Sequence, residues 1–174
     1  MTIMVLELAA PKGSDITSLV PLLPKFLTYA LSFLLLAIYW VNHHHLFQAV
    51  ERVNGTVLWA NVGLLFWLSL IPFVTAWAGD NAAKPVPVAI YGTILVLAAI
   101  AYFILVQTLL ALHPSGSSLA SAIGRDVKGK LSLLIYALAI LASFFSTLVG
   151  WSLYIAVALI WLVPDRRIEN TIGS

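Results

Sequence analysis

The sequence predicts an all-α, polytopic membrane helix bundle, with five complete transmembrane helices preceded by an N-terminal half-helix in a single integral membrane domain over 1–174. Two observations lead there. Apolar residues fill 61% of the 174 positions and charged residues only 9%, whereas a water-soluble domain carries roughly a quarter charged side chains. The charges also cluster: no Asp, Glu, Lys or Arg lies between Lys25 and Glu51, Arg52 and Asp80, Lys84 and Arg125, or Lys130 and Asp165. Each gap can hold a spanning helix, which needs about 20 residues.

The elements follow in order. Residues 1–10 are apolar but reach only about 15 Å as a helix, and Pro11-Lys12-Gly13-Ser14-Asp15 ends them. They cannot span alone, and with no basic residue before the run and Glu7 within it they do not read as a signal peptide. Spans are expected at 24–48, 54–78 and 87–112, the second kinked at Pro72. The stretch Leu131 to Pro164 would make one helix of about 50 Å, too long for a hydrocarbon core of about 30 Å. It must fold back, and the hydroxyls and glycine of Ser146-Thr147-Leu148-Val149-Gly150 suggest the hinge, giving spans at 130–147 and 150–163. Trp40, Trp59, Trp77, Trp151 and Trp161 fall towards span ends, where amphipathic rings favour the headgroup layer.

Alternate loops carry Arg52, Arg125, Lys128, Lys130, Arg166 and Arg167 on one side and Lys12, Lys25 and Lys84 on the other. The positive-inside rule then places the C-terminus in the cytoplasm of a plasma-membrane protein. A net charge of +2 gives no reason to expect nucleic acid as a partner, and with no cysteine a disulfide scaffold and thiolate metal sites are excluded. The partner expected from composition is the lipid bilayer.

Candidate chemistry is sparse. Trp40-Val41-Asn42-His43-His44-His45-Leu46-Phe47 closes the span at 24–48. Adjacent helical residues point about 100° apart, so three neighbouring histidines cannot close on one ion, and no metal site is expected. The spacing does allow Trp40 to stack with His43 and His44. Trp40, Asn42 and His43 are therefore read as a structural network that satisfies polar groups at a helix end, the alternative being a cluster simply resting in the interface. No Gly-x-Ser-x-Gly, phosphate loop or His-Glu-x-x-His occurs, and no Asp or Glu sits in the middle of a span, so neither an enzyme nor a proton-coupled transporter is expected. Glu7 is either an exposed interfacial carboxylate or, in several copies, part of an acidic ring at an outer pore mouth.

Three separated stretches, Tyr39 to Phe47, Leu64 to Phe73 and Trp161 to Glu169, resemble the prokaryotic members of the transmembrane protein 175 family, and Thr2 to Leu8 is similar to the second half of that family's first helix. The resemblance implies a six-helix subunit, a homotetramer around an axis, and a potassium-selective pore lined by the first helix, with K+ as permeant ion and no bound cofactor. Thr2, Ile3 and Leu6 match pore-facing positions. Trp40 and His43 match the Trp-x-x-His that helps hold the first helix through an Arg-x-x-x-Phe-Ser-Asp motif. That motif, and the bulky apolar residue that narrows the pore one turn before Thr2, have no counterpart in this sequence. A start assigned at an internal methionine and a genuinely short homologue both account for this. The expected function is thus a potassium channel subunit, with a non-conducting membrane scaffold or truncated homologue and, behind it, a small-solute transporter as the alternatives.

Overall fold

In the computed structural model the described residues are 13–113 and 127–162, together with Val5, Leu8, Ala10 and Pro11. They form an all-α bundle, and no strand occurs among them. A 3-10 turn over Ile16–Leu22 leads into α1, Leu23–Gln48. Pro24 falls in the first turn of α1, where the amide that proline lacks would have no helical partner in any case. Asn54 caps α2, Gly55–Ser69, its side-chain oxygen accepting from the Val57 amide at 3.0 Å.

The expected kink is present. The helical ladder breaks at Leu70 and resumes as α3, Ile71–Asp80, because Pro72 has no amide to continue it. The Ser69 hydroxyl donates to the Phe66 carbonyl at 2.7 Å and helps satisfy the released backbone. Pro85 opens α4, Pro85–Leu112, which runs to His113.

The fold-back separates α5, Val127–Ser143, from α6, Thr147–Leu162. It lies at Phe144 to Ser146, slightly ahead of the hinge expected at 146–150. The amides of Phe144, Phe145 and Ser146 all fold back onto the carbonyls of Leu141 and Ala142, which completes the turn before Gly150 is reached. Gly150 instead lies inside α6, against α5: a Cβ there would collide with the Ser143 hydroxyl. At 1.5 Å per residue α5 and α6 are about 25 Å long, at the short end for a bilayer. The unbroken or merely kinked stretches Ile16–Gln48, Gly55–Asp80 and Pro85–Leu112 are long and apolar enough to cross.

Helix α4 is the centrepiece, packing on α2, α3, α5 and α6, while α1 packs mainly on α3 and α6. Two buried clusters result. One joins Leu35, Ile71, Val74, Tyr91, Leu95, Tyr136, Tyr154 and Val157; the other joins Leu46, Val57, Leu64, Leu105 and Leu109 nearer the opposite end. Outward faces are as apolar as the core: Leu58, Leu65 and Phe66 on α2 and Leu134, Leu138 and Leu141 on α5 are exposed. Water would not tolerate this surface; lipid or neighbouring copies of the chain would.

Candidate functional site

The polar residues of α1 gather in its last two turns. Trp40 stacks on His44 with ring centroids 5.6 Å apart and planes 11° from parallel, and His44 accepts from the Gln48 amide at 3.0 Å. This is one i, i+4 column. His43 belongs to another: its ring packs on Phe47 at 4.6 Å, and its Nε2–H donates to Asn61 Oδ1 of α2 at 2.8 Å. Asn42 turns a third way and donates to the Ile38 carbonyl at 2.8 Å. Trp40, Asn42 and His43 thus make three separate sets of contacts. The stacking expected of Trp40 with both histidines occurs with His44, because a pair four apart can superimpose rings while His43 is drawn to Asn61. Among the described residues no three His, Cys, Asp or Glu side chains gather as metal ligands would.

Trp40 is 64% exposed. A tryptophan left open beside a histidine column presents a flat, half-polar surface to which another element can dock.

At the same end His113 ties two loops together. Its Nδ1–H donates to the Leu109 carbonyl at 2.8 Å, which leaves Nε2 to accept from the amides of Glu51 at 3.2 Å and Arg52 at 3.4 Å. The α1–α2 connection is thereby held on the end of α4. Asn61 and His113 were not singled out from sequence; the available signal was a polar side chain facing inward in an otherwise apolar span, and an imidazole one residue past a helix end.

Midway along the bundle, hydroxyls link α1, α3 and α4. Ser32 Oγ is 2.9 Å from the Tyr91 hydroxyl and 2.7 Å from Thr75 Oγ1, which also lies 2.6 Å from the Ile71 carbonyl. The single Thr75 proton serves one acceptor at a time. With it on the Ile71 carbonyl, the order Tyr91 to Ser32 to Thr75 gives every hydroxyl an acceptor. No buried side-chain polar atom lacks a partner among the described residues. At the other end Lys25 pairs with Asp80 at 3.1 Å, and the Trp151 indole donates to the Ala82 carbonyl at 3.1 Å.

Thr2, Ile3, Leu6 and Glu7, the residues expected at a pore and its mouth, lie outside the described residues.

The family model described as endosomal/lysosomal potassium channel TMEM175 matches residues 1–72, a stretch that includes Thr2 to Glu7 and the Trp40 to Phe47 cluster. A potassium channel of a Chryseobacterium species is 49% identical over 99% of this chain and 90% of its own length. Potassium channels of Streptomyces collinus and Chamaesiphon minutus are each 30% identical over 59% of this chain, covering 53% and 55% of their own lengths. No solved structure matches the chain significantly. An all-α membrane bundle with nearly half its residues shared, end to end, with one such relative leads to one assignment: the chain belongs to the TMEM175 family.

Proposed function

We propose that this protein is a potassium channel subunit that conducts K+ across the plasma membrane through a central pore between four copies, with its C-terminus in the cytoplasm. The observation that carries the reading is the 49% identity to a potassium channel over practically the whole chain. Thr2, Ile3 and Leu6 line the pore, Ile3 and Leu6 three residues apart on one helical face, and Glu7 draws cations to its outer mouth. Apolar side chains offer no carbonyl ring to replace the hydration shell. Selection therefore works by partial dehydration at a narrow constriction, with the Thr2 hydroxyl assisting, so conduction is modest and discrimination incomplete. The exposed Trp40 with its histidine column, and His43 held by Asn61, form the surface against which the first helix rests. No enzymatic step is part of this function.

The test is ion efflux from liposomes holding the purified protein. K+ efflux exceeding Na+ efflux, with that preference reduced by Leu6→Asn or Ile3→Asn, supports the reading. Folded, oligomeric protein that passes neither ion would replace it with a non-conducting scaffold. Saturable uptake of an organic solute would replace it with a transporter.

A further inference from the structure

A cavity of about 170 Å³ opens between α1, α4, α5 and α6, at the end of the bundle that carries His43 and His113. Its walls are largely hydrocarbon and ring: Leu35, Tyr39, Ala99, Phe103, Leu133 and Tyr136. The polar side-chain groups of the lining are the tyrosine hydroxyls, the Trp161 indole N–H, Asn42 and Ser132, and the one charged group is Lys130, near the start of α5. Ser132 is already engaged, accepting from the Trp161 indole at 2.8 Å, so Trp161 forms a fixed wall. Lys130 is exposed, lines the cavity, and makes no ion pair among the described residues.

A dry apolar cavity of about 150 Å³ takes up an apolar molecule the size of benzene. In a helix bundle bathed in lipid, the available occupant of that kind is an acyl chain. A cation at the polar edge of such a slot between transmembrane helices selects among headgroups, because a lysine near the membrane surface attracts an anionic lipid and does nothing for a zwitterionic one.

We propose that this cavity is a binding site for an anionic phospholipid, one acyl chain lying between α1, α4 and α5 against Tyr39, Phe103 and Tyr136, and the phosphate held by Lys130. The arrangement separates the two tasks by depth. The aromatic walls fix the chain and Lys130 reads the headgroup. Lys128 lies at the same edge, its ammonium 6.0 Å from the Trp161 ring centroid.

Trp161 supplies the readout, since bromine on an acyl chain quenches an indole only at contact. A variant retaining Trp161, with Trp40, Trp59, Trp67, Trp77 and Trp151 changed to Phe, is reconstituted with brominated phosphatidylglycerol in unlabelled phosphatidylcholine, and then with the labels exchanged. A second variant retaining only Trp59, which is 77% exposed at the same end of the bundle, reports on lipid that is not held in a site. Brominated phosphatidylglycerol should occupy the Trp161 site with about a fivefold preference over brominated phosphatidylcholine, the factor that about 1 kcal/mol per lysine gives. Lys130→Gln should remove that preference and Ala99→Phe should remove the quenching by either lipid, while Trp59 shows no preference.

Equal quenching by the two lipids, a preference that survives Lys130→Gln, or the same preference at Trp59 would overturn the proposal. So would absence of quenching, which would mean that protein fills the slot. If the single-tryptophan chains do not fold, native mass spectrometry of the otherwise unaltered protein decides the matter. Phosphatidylglycerol retained through purification, and lost with Lys130→Gln, supports the site; retention unchanged by that substitution overturns it.

Discussion

Changing Gly92 to alanine asks whether the tyrosine cluster is packed as tightly as its distances indicate. A Cβ at this position would collide with the Tyr154 hydroxyl and lie 2.6 Å from Tyr154 Cζ and 2.9 Å from Ile140 Cγ1. Tyr154 is not free to move aside. It is completely buried, its hydroxyl donates to the Val88 carbonyl at 3.2 Å, and its ring sits 5.5 Å from that of Tyr91 and 5.9 Å from that of Trp151. Overpacking of a closed core costs about 1–3 kcal/mol. Alanine in place of glycine inside a helix gains at most about 1 kcal/mol. Against a ring that cannot move, the cost lies near the upper figure of about 3 kcal/mol, so the collision wins and Gly92→Ala should lose about 2 kcal/mol net. Gly63 is the control: nothing stands within 4 Å of its would-be Cβ, so Gly63→Ala keeps the helix gain without the collision. Both are read from reversible unfolding in mixed detergent and SDS micelles, followed by circular dichroism. A Gly92→Ala protein as stable as the parent, or shifted in the same direction as Gly63→Ala, would show that α4 and α6 do not approach as described.

Other substitutions probe the polar contacts. Ser32→Ala strands the buried Tyr91 hydroxyl and should cost about 1–3 kcal/mol, whereas Tyr91→Phe leaves Ser32 with Thr75 and should cost nearer 0.6 kcal/mol, the mean for interhelical bonds in membranes. In the same unfolding assay the double variant should be less damaged than the sum of the two; strict additivity would refute the linked hydroxyls. Asp80→Asn removes an ion pair whose carboxylate is 58% exposed, so a loss under about 1 kcal/mol that vanishes in high salt is expected. Trp40→Ala touches an exposed ring and should change unfolding of the chain by no more than about 0.5 kcal/mol, yet lower K+ efflux from liposomes several-fold; unaltered efflux would remove Trp40 from the surface that supports the first helix.

Much of the fold was legible because bilayer thickness converts charge spacing into helix count. The gaps between Lys25 and Glu51 and between Lys84 and Arg125 correspond directly to α1 and α4. Pro72 announced its own break, since a missing amide acts whatever surrounds it. The turn at Phe144 to Ser146 precedes the hinge that the hydroxyls and glycine of 146–150 suggest, because Gly150 is small in order to let Ser143 come close and not to turn the chain. Composition cannot separate those two uses of glycine. The histidine cluster was legible as a polar helix end, but its pairings were not. Which of His43 and His44 meets Trp40 depends on where Asn61 of α2 comes to lie, and the latch made by His113 depends on α4 ending beside the α1–α2 connection. Both are facts of tertiary packing between residues far apart in sequence.

The way polar groups are handled bears on where an ion could travel. Ser32, Thr75 and Tyr91 satisfy one another, Ser143 donates to the Ala139 carbonyl, and Trp151 and Trp161 spend their indole donors on Ala82 and Ser132. Carboxylates among the described residues stay outside the middle of the spans. A cation entering this core would have to shed its water without receiving ligands in return, a cost a low-dielectric interior does not repay. The five described spans therefore favour a supporting role: a dry frame whose open tryptophan and apolar outer faces receive other helices. That favours a path between copies of the chain over one through a single copy.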